Sequence, residues 1–201
     1  ERFNYCMEVA VEREGRNSPT VATISNNIAI LDFNEEKYEE AYDAFCEAEK
    51  IYRVCQRIYG NDFTEDLSRI LCNEGQCLTE IAGNMIQEFY EKNIKADLES
   101  SMQIRQYLQD AAEKMQIAIQ LLIKEKQRYR FQIAQAYGSL ASVYERLGMV
   151  DDTKKCFLKA IEGTVECRHE LHPDLAYLYN NYGQFLDDQG NYAEALYYVK
   201  K

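Results

Sequence analysis

The sequence has no Trp, two Pro, nine Gly and two His in 201 residues. Two prolines and nine glycines cannot punctuate an all-β chain, which turns about every ten residues. Ala, Glu, Lys, Leu and Gln are abundant, so the chain is expected to be all-α. No apolar run approaches the roughly 20 residues that cross a bilayer, and no signal-peptide pattern opens the chain. A soluble protein without a membrane partner is expected. Positive charge is the scarcer sign: 23 Lys and Arg face 34 Asp and Glu, a net charge of −11. Nucleic-acid binding draws on clustered cations that neutralise phosphate, so DNA and RNA are not expected partners.

Paired cysteines are missing as well. The seven Cys (6, 46, 55, 72, 77, 156, 167) are odd in number and contain no CxxC. Most sit in helical patterns where a small apolar residue would serve, which points to a reducing, cytoplasmic setting. There is no Gly-rich phosphate loop, nucleophile elbow or HExxH. The acids, such as Glu35-Glu36 and Glu39-Glu40, fall on solvated helix faces. Neither an enzyme nor a cofactor is expected.

What the chain does have is an internal echo. Asn26-Asn27-Ile28-Ala29, followed by Tyr38 and Ala41, recurs at an offset of 154 as Asn180-Asn181-Tyr182-Gly183, followed by Tyr192 and Ala195. The same shift lays Ser18-Pro19-Thr20-Val21-Ala22 on His172-Pro173-Asp174-Leu175-Ala176. Such self-similarity marks a repeat protein. Helices cross closely only where a residue is small, and Ala29, Gly75, Ala141 and Gly183 supply that marker. Their spacings are 46, 66 and 42, so the shortest sets the basic unit and the first two intervals carry 4 and 24 extra positions. In the second helix, Ala41/Phe45/Ala48 match Ala111/Met115/Ala118 and Thr153/Phe157/Ala160. Their four- and three-residue steps put each trio on one helical face.

These residues resemble the tetratricopeptide repeat, in the 42-residue form of kinesin light chains. Leu140-Ala141, Tyr144, Gly148, Phe157 and Ala160 carry the pattern best, and Gly183, Gly190, Tyr192 and Ala195 keep it. The first unit departs by placing Glu36 where a turn glycine is usual. The resemblance implies a right-handed α-α superhelix whose concave side, lined by first helices, holds protein segments. Tyr38, Tyr144 and Tyr192 fall at motif positions and are expected in the core, while Tyr177 and Tyr179 sit on the first helix of the last unit, where an amphipathic ring suits the core and the groove alike.

The units read as one solenoid, 1–201: a second helix at 1–14, repeats at 18–60, 64–126 and 128–170, and a truncated repeat at 173–201. The whole reads as a segment of a longer protein, able to self-associate through its truncated ends. The insertion, about 83–106, reads as two lengthened helices. They run out through Ile81, Met85 and Phe89 and back through Leu98 and Met102. Split evenly at about 1.5 Å per residue, the insertion extends the hairpin by about 18 Å, with a tip near Lys92 to Asp97. Phe89, Tyr90 and Tyr107 there form a second contact site or simply zip the two helices.

Asn26, Asn27, Asn73, Asn180 and Asn181 fall just before the markers, with Ser139 at the same place in the third unit. An amide offers both donors and an acceptor, so it suits an extended peptide backbone. Resemblance to the kinesin light chain groove implies that Asn27, Asn73 and Asn181 contact ligand, with Gln76 and Gln184 extending the row. The same amides also suit hydrogen bonds between neighbouring repeats. The acidic surface favours a neutral or basic partner, unlike the often acidic cargo peptides of that family.

A non-catalytic scaffold that binds a protein segment is therefore expected. Its first rival is a sensor arm of a multidomain ATPase switch or protease. The other is a metal protein or enzyme centred on Cys167, His169 and His172, which offers three ligand types where a structural zinc takes four; no metal is expected.

Overall fold

The computed structural model describes residues 2–168 and 172–201, with residues 2–4 described by their backbone. Among the described residues every regular element is a helix, as the composition demands. The chain forms two compact units, Glu1–Leu121 and Leu122–Lys201.

The first unit holds α1 (Arg2–Glu14), α2 (Pro19–Asn34), α3 (Tyr38–Tyr59), α4 (Thr64–Glu91) and most of α5 (Leu98–Ile123). The second holds α6 (Arg130–Arg146), α7 (Val150–Cys167), α8 (Pro173–Asp188) and α9 (Tyr192–Val199). Two of the first helices start alike. Ser18 Oγ accepts the Val21 N–H at 3.3 Å and His172 Nδ1 accepts the Asp174 N–H at 3.3 Å, each followed by Pro at the first helical position. Glu39 and Glu40 open α3 and Asp151 and Asp152 open α7, where carboxylates complement the helix dipole.

The repeat markers meet the expected faces. Ala41, Phe45 and Ala48, and their counterparts in α5 and α7, are all at most 1% exposed. A Cβ on Gly75 would lie 2.9 Å from Met115 Cε and 3.0 Å from the Ala111 carbonyl oxygen. A Cβ on Gly183 would lie 2.6 Å from Val199 Cγ2 and 3.4 Å from the Ala195 oxygen. These contacts fall at equivalent repeat positions, so both glycines serve one purpose: they let two backbones touch.

The turn between paired helices also repeats. Gly148 N–H reaches Glu145 O and Met149 N–H reaches Tyr144 O; Gly190 and Asn191 repeat this on Asp187 and Leu186. Both glycines are left-handed, at φ 73° and 75°. Glu36, at φ 62°, makes the same turn without being glycine, with Glu36 N–H on Phe33 O and Lys37 N–H on Asp32 O.

The same turn closes the elongated hairpin. Asn93 is left-handed at φ 51°, its N–H on Tyr90 O and the Ile94 N–H on Phe89 O. It comes 18 positions after Gly75, where the other turn residues come 7 after their markers, so the ascending helix is longer by 11. The descending helix is longer by 10 and the loop takes the remaining 3, because α5 begins only at Leu98, where Asp97 Oδ1 accepts the Ser100 N–H at 2.7 Å. The extension is about 16 Å. Along it Phe89 and Tyr107 are half-buried and Tyr90 is 82% exposed.

One core expectation fails. Tyr192 is 70% exposed, whereas Tyr38 and Tyr144 are half-buried. Tyr38 packs edge-on against Phe33, ring centroids 5.2 Å apart, and the counterpart of Phe33 in the last hairpin is Asp187, which offers Tyr192 no ring. Of the two tyrosines left open between core and groove, Tyr179 joins the core. It is buried against Tyr198 at 5.9 Å, and Tyr177 is the exposed tyrosine of that helix.

Candidate functional site

Every amide of the predicted row lies on a first helix, one to three positions from its marker. In the first unit Asn27 is exposed on α2, while Asn73 and Gln76 are half-buried one turn apart on α4. In the second unit Ser139 is half-buried on α6; on α8 Asn180 and Gln184 are exposed and Asn181 is half-buried. Gln76 and Ser139 both have interaction partners already. Asn26 does not share this surface. It is 3% exposed, with Oδ1 lacking a hydrogen-bond partner, because a step of about 100° around the helix turns it from the face of Asn27 into the packing.

The two Asn pairs share one local geometry. Asn26 Nδ2 donates to Asn27 Oδ1 at 3.4 Å, and Asn180 Nδ2 donates to Asn181 Oδ1 at 3.5 Å. The first residue of each pair thereby orients the second and leaves its NH₂ group to donate elsewhere.

Of the suggested metal cluster, Cys167 and His172 lie among the described residues. His172 Nδ1 is taken up as the helix cap, and its ring stands edge-on to Phe131 at 5.8 Å. The Arg168 guanidinium lies 4.0 Å from the centroid of the Phe131 ring. His169 lies outside the described residues, and among those described no group of three metal-ligand side chains gathers.

A charged cluster that the sequence pattern does not announce lies beside Asn73. Glu74 on α4 is 0% exposed, and Lys114 Nζ on α5 forms an ion pair with its Oε2 at 2.5 Å. Lys114 also lies 3.4 Å from Glu49 Oε2 on α3, and Arg53 holds the other Glu49 oxygen at 2.6 Å. Burial pushes the Glu74 carboxyl up to about 7, with Lys114 pulling the other way and Glu49 adding to the rise. Burial also acts to raise Glu49, but the Arg53 hydrogen bond and the Lys114 charge hold it below the usual carboxylate range. The one signal was in the repeat alignment: Glu74 occupies the position of Ile28, Leu140 and Tyr182.

On α8 the equivalent position is aromatic. Tyr182 meets Tyr198 edge-on at 4.7 Å and Phe157 at 5.4 Å, and its hydroxyl faces Glu194 Oε1 at 3.5 Å. Lys154 Nζ on α7 reaches the other Glu194 oxygen, at 3.2 Å, and so ties α7 to α9.

Residues 132–201 match the tetratricopeptide repeat family. The crystal structure of BtubC (BKLC) from P. vanneervenii superposes with a TM-score of 0.50 at 13% sequence identity, covering 98% of this chain and 84% of that one. At that identity the likeness speaks to the fold alone. No curated protein matches the sequence.

Proposed function

We propose that this all-helical chain, whose residues 132–201 match the tetratricopeptide repeat family, is a non-catalytic module that binds a segment of another protein through the amides of its first helices. Repeats of this family generally mediate protein–protein interaction. The observation that carries the finer reading is the repeated Asn pair. Asn27 and Asn181 occupy one repeat position, and each is oriented by a hydrogen bond from the preceding Asn. An oriented surface amide recognises backbone regardless of side chains, at little ordering cost to the protein. Asn73 and Gln184 extend this amide set within their units. The partner segment is neutral or basic, since the surface bears a net charge of −11. All seven cysteines are free thiols, which suits the cytoplasm.

The test compares affinity capture from the source cytosol by the parent chain and by an Asn27→Ala/Asn73→Ala/Asn181→Ala variant of unchanged helical content. A partner bound by the parent and lost by the variant supports the amide site. Equal capture by both removes it.

A further inference from the structure

In every sister hairpin the two positions held by Glu74 and Lys114 are free of charge: Ile28 with Ala44, Leu140 with Cys156, and Tyr182 with Tyr198. Only the elongated hairpin puts ions there, and it buries the carboxylate completely. One ammonium serves two carboxylates, Glu74 and Glu49, and neither buried Glu74 oxygen has a hydrogen-bond partner. A buried carboxylate without a hydrogen-bond partner is costly, and so is a second carboxylate beside it sharing the same ammonium. One proton relieves both, because it removes the Glu74 charge, gives Glu74 a hydroxyl that donates to the Glu49 carboxylate, and leaves Lys114 to Glu49.

We propose that Glu49, Lys114 and Glu74 form a proton-operated joint between α3 and the α4–α5 hairpin, tight when Glu74 holds a proton and loosened when it gives that proton to solvent. The groups facing Glu74 agree. From α3 come Glu49, whose other oxygen is held by Arg53, together with Cys46 and Tyr42; from α5 comes Lys114; from α4 itself comes Cys77. Burial pushes Cys46 up to about 11 and Tyr42 and Cys77 up to about 12, so all three stay neutral near pH 7 and only Glu74 exchanges a proton there. The joint stands whether or not the neighbouring amides bind a peptide.

Linkage fixes the direction. The Glu74 carboxyl titrates near 7 in the folded chain and near 4.5 unfolded. Its contribution to stability is therefore complete below the unfolded value and is lost as pH rises to the folded one. For one proton the folded-to-unfolded ratio falls by up to roughly tenfold per pH unit across that window. Glu49 acts in the opposite sense, but below its unfolded value, outside the window.

The experiment follows urea unfolding of the full chain between pH 5 and 8, for the parent, Glu74→Gln and the double variant Glu74→Leu/Lys114→Met. Carbon-13 NMR titration of the Glu74 carboxyl in the parent accompanies it. The expected result is a parent whose folded-to-unfolded ratio drops at least tenfold more over this range than that of either variant, with Glu74 titrating above pH 6. The double variant replaces the ions by apolar groups and supplies the comparison if the Gln variant does not fold. Equal pH dependence in the parent and the folded variants, or a Glu74 carboxyl titrating below pH 5, overturns the joint.

Discussion

At the scale of single residues, the turn at Glu36 carries a removable cost. A side chain in the left-handed region costs about 1–2 kcal/mol, and glycine gives back part of that as chain entropy. Glu36→Gly is expected to stabilise the chain by about 0.5–1 kcal/mol. Chemical denaturation checks it, and an unchanged or lowered midpoint would refute the strain. The reverse holds at the marker glycines. Gly75→Ala places a methyl against Met115 and the fixed Ala111 carbonyl oxygen, so α4 and α5 must part, at a cost of about 1–3 kcal/mol. The same denaturation measurement decides it: a loss under about 0.5 kcal/mol, the spread of ordinary surface substitutions, would mean that the helices give way freely. Both effects were legible in the sequence as a missing turn glycine and two aligned small residues. The burial of Glu74 was not. The echo is carried by the residues on either side of it, and a lone carboxylate among 34 acids looks like surface until its helix is phased.

At the scale of elements, the elongated hairpin is thin. From residue 83 to 107 no side chain is fully buried, and Ile86, Tyr90, Leu98 and Met102 are exposed. Few buried contacts mean cheap local opening. Amide hydrogen exchange is therefore expected to be faster over residues 84–104 than over residues 67–82 of the same α4. Equal protection along the whole helix would contradict this. Deleting 83–106 and placing glycine at position 82 restores the turn at the spacing from its marker that the short hairpins use. The shortened chain is expected to unfold as cooperatively as the parent, and circular dichroism during denaturation reads the outcome. The sequence showed the hairpin's existence and length class through its apolar steps. It did not show how the insertion divides between helices and loop, since Asn93 bears no mark that separates a left-handed turn from an ordinary polar position. Nor did it show Tyr192 exposed, because the motif fixes the ring's position and Asp187 decides its shelter.

At the scale of the whole molecule, the thiols report on each unit separately. Cys6 is exposed, while Cys55 and Cys77 in the first unit and Cys156 in the second are buried. Burial raises all three buried thiols, Cys77 to about 12 and Cys156 to about 11, so none offers thiolate at pH 8. A maleimide or disulfide reagent is expected to label Cys6 at once and the other three only as their own unit opens. Mass spectrometry across a denaturant series then shows whether Cys77 and Cys156 become reactive together. Labelling of either as fast as Cys6 in the native protein would mean that the thiol is not shielded by its helix packing.

The lengthening of α4 comes to about three whole turns of helix. The tip of the arm therefore leaves its helix at nearly the azimuth of the short hairpins' turns. Length behaves here as a dial with detents: a further graft of about three turns on the rising side, matched on the falling side, would lengthen the arm again without swivelling whatever is displayed at its end.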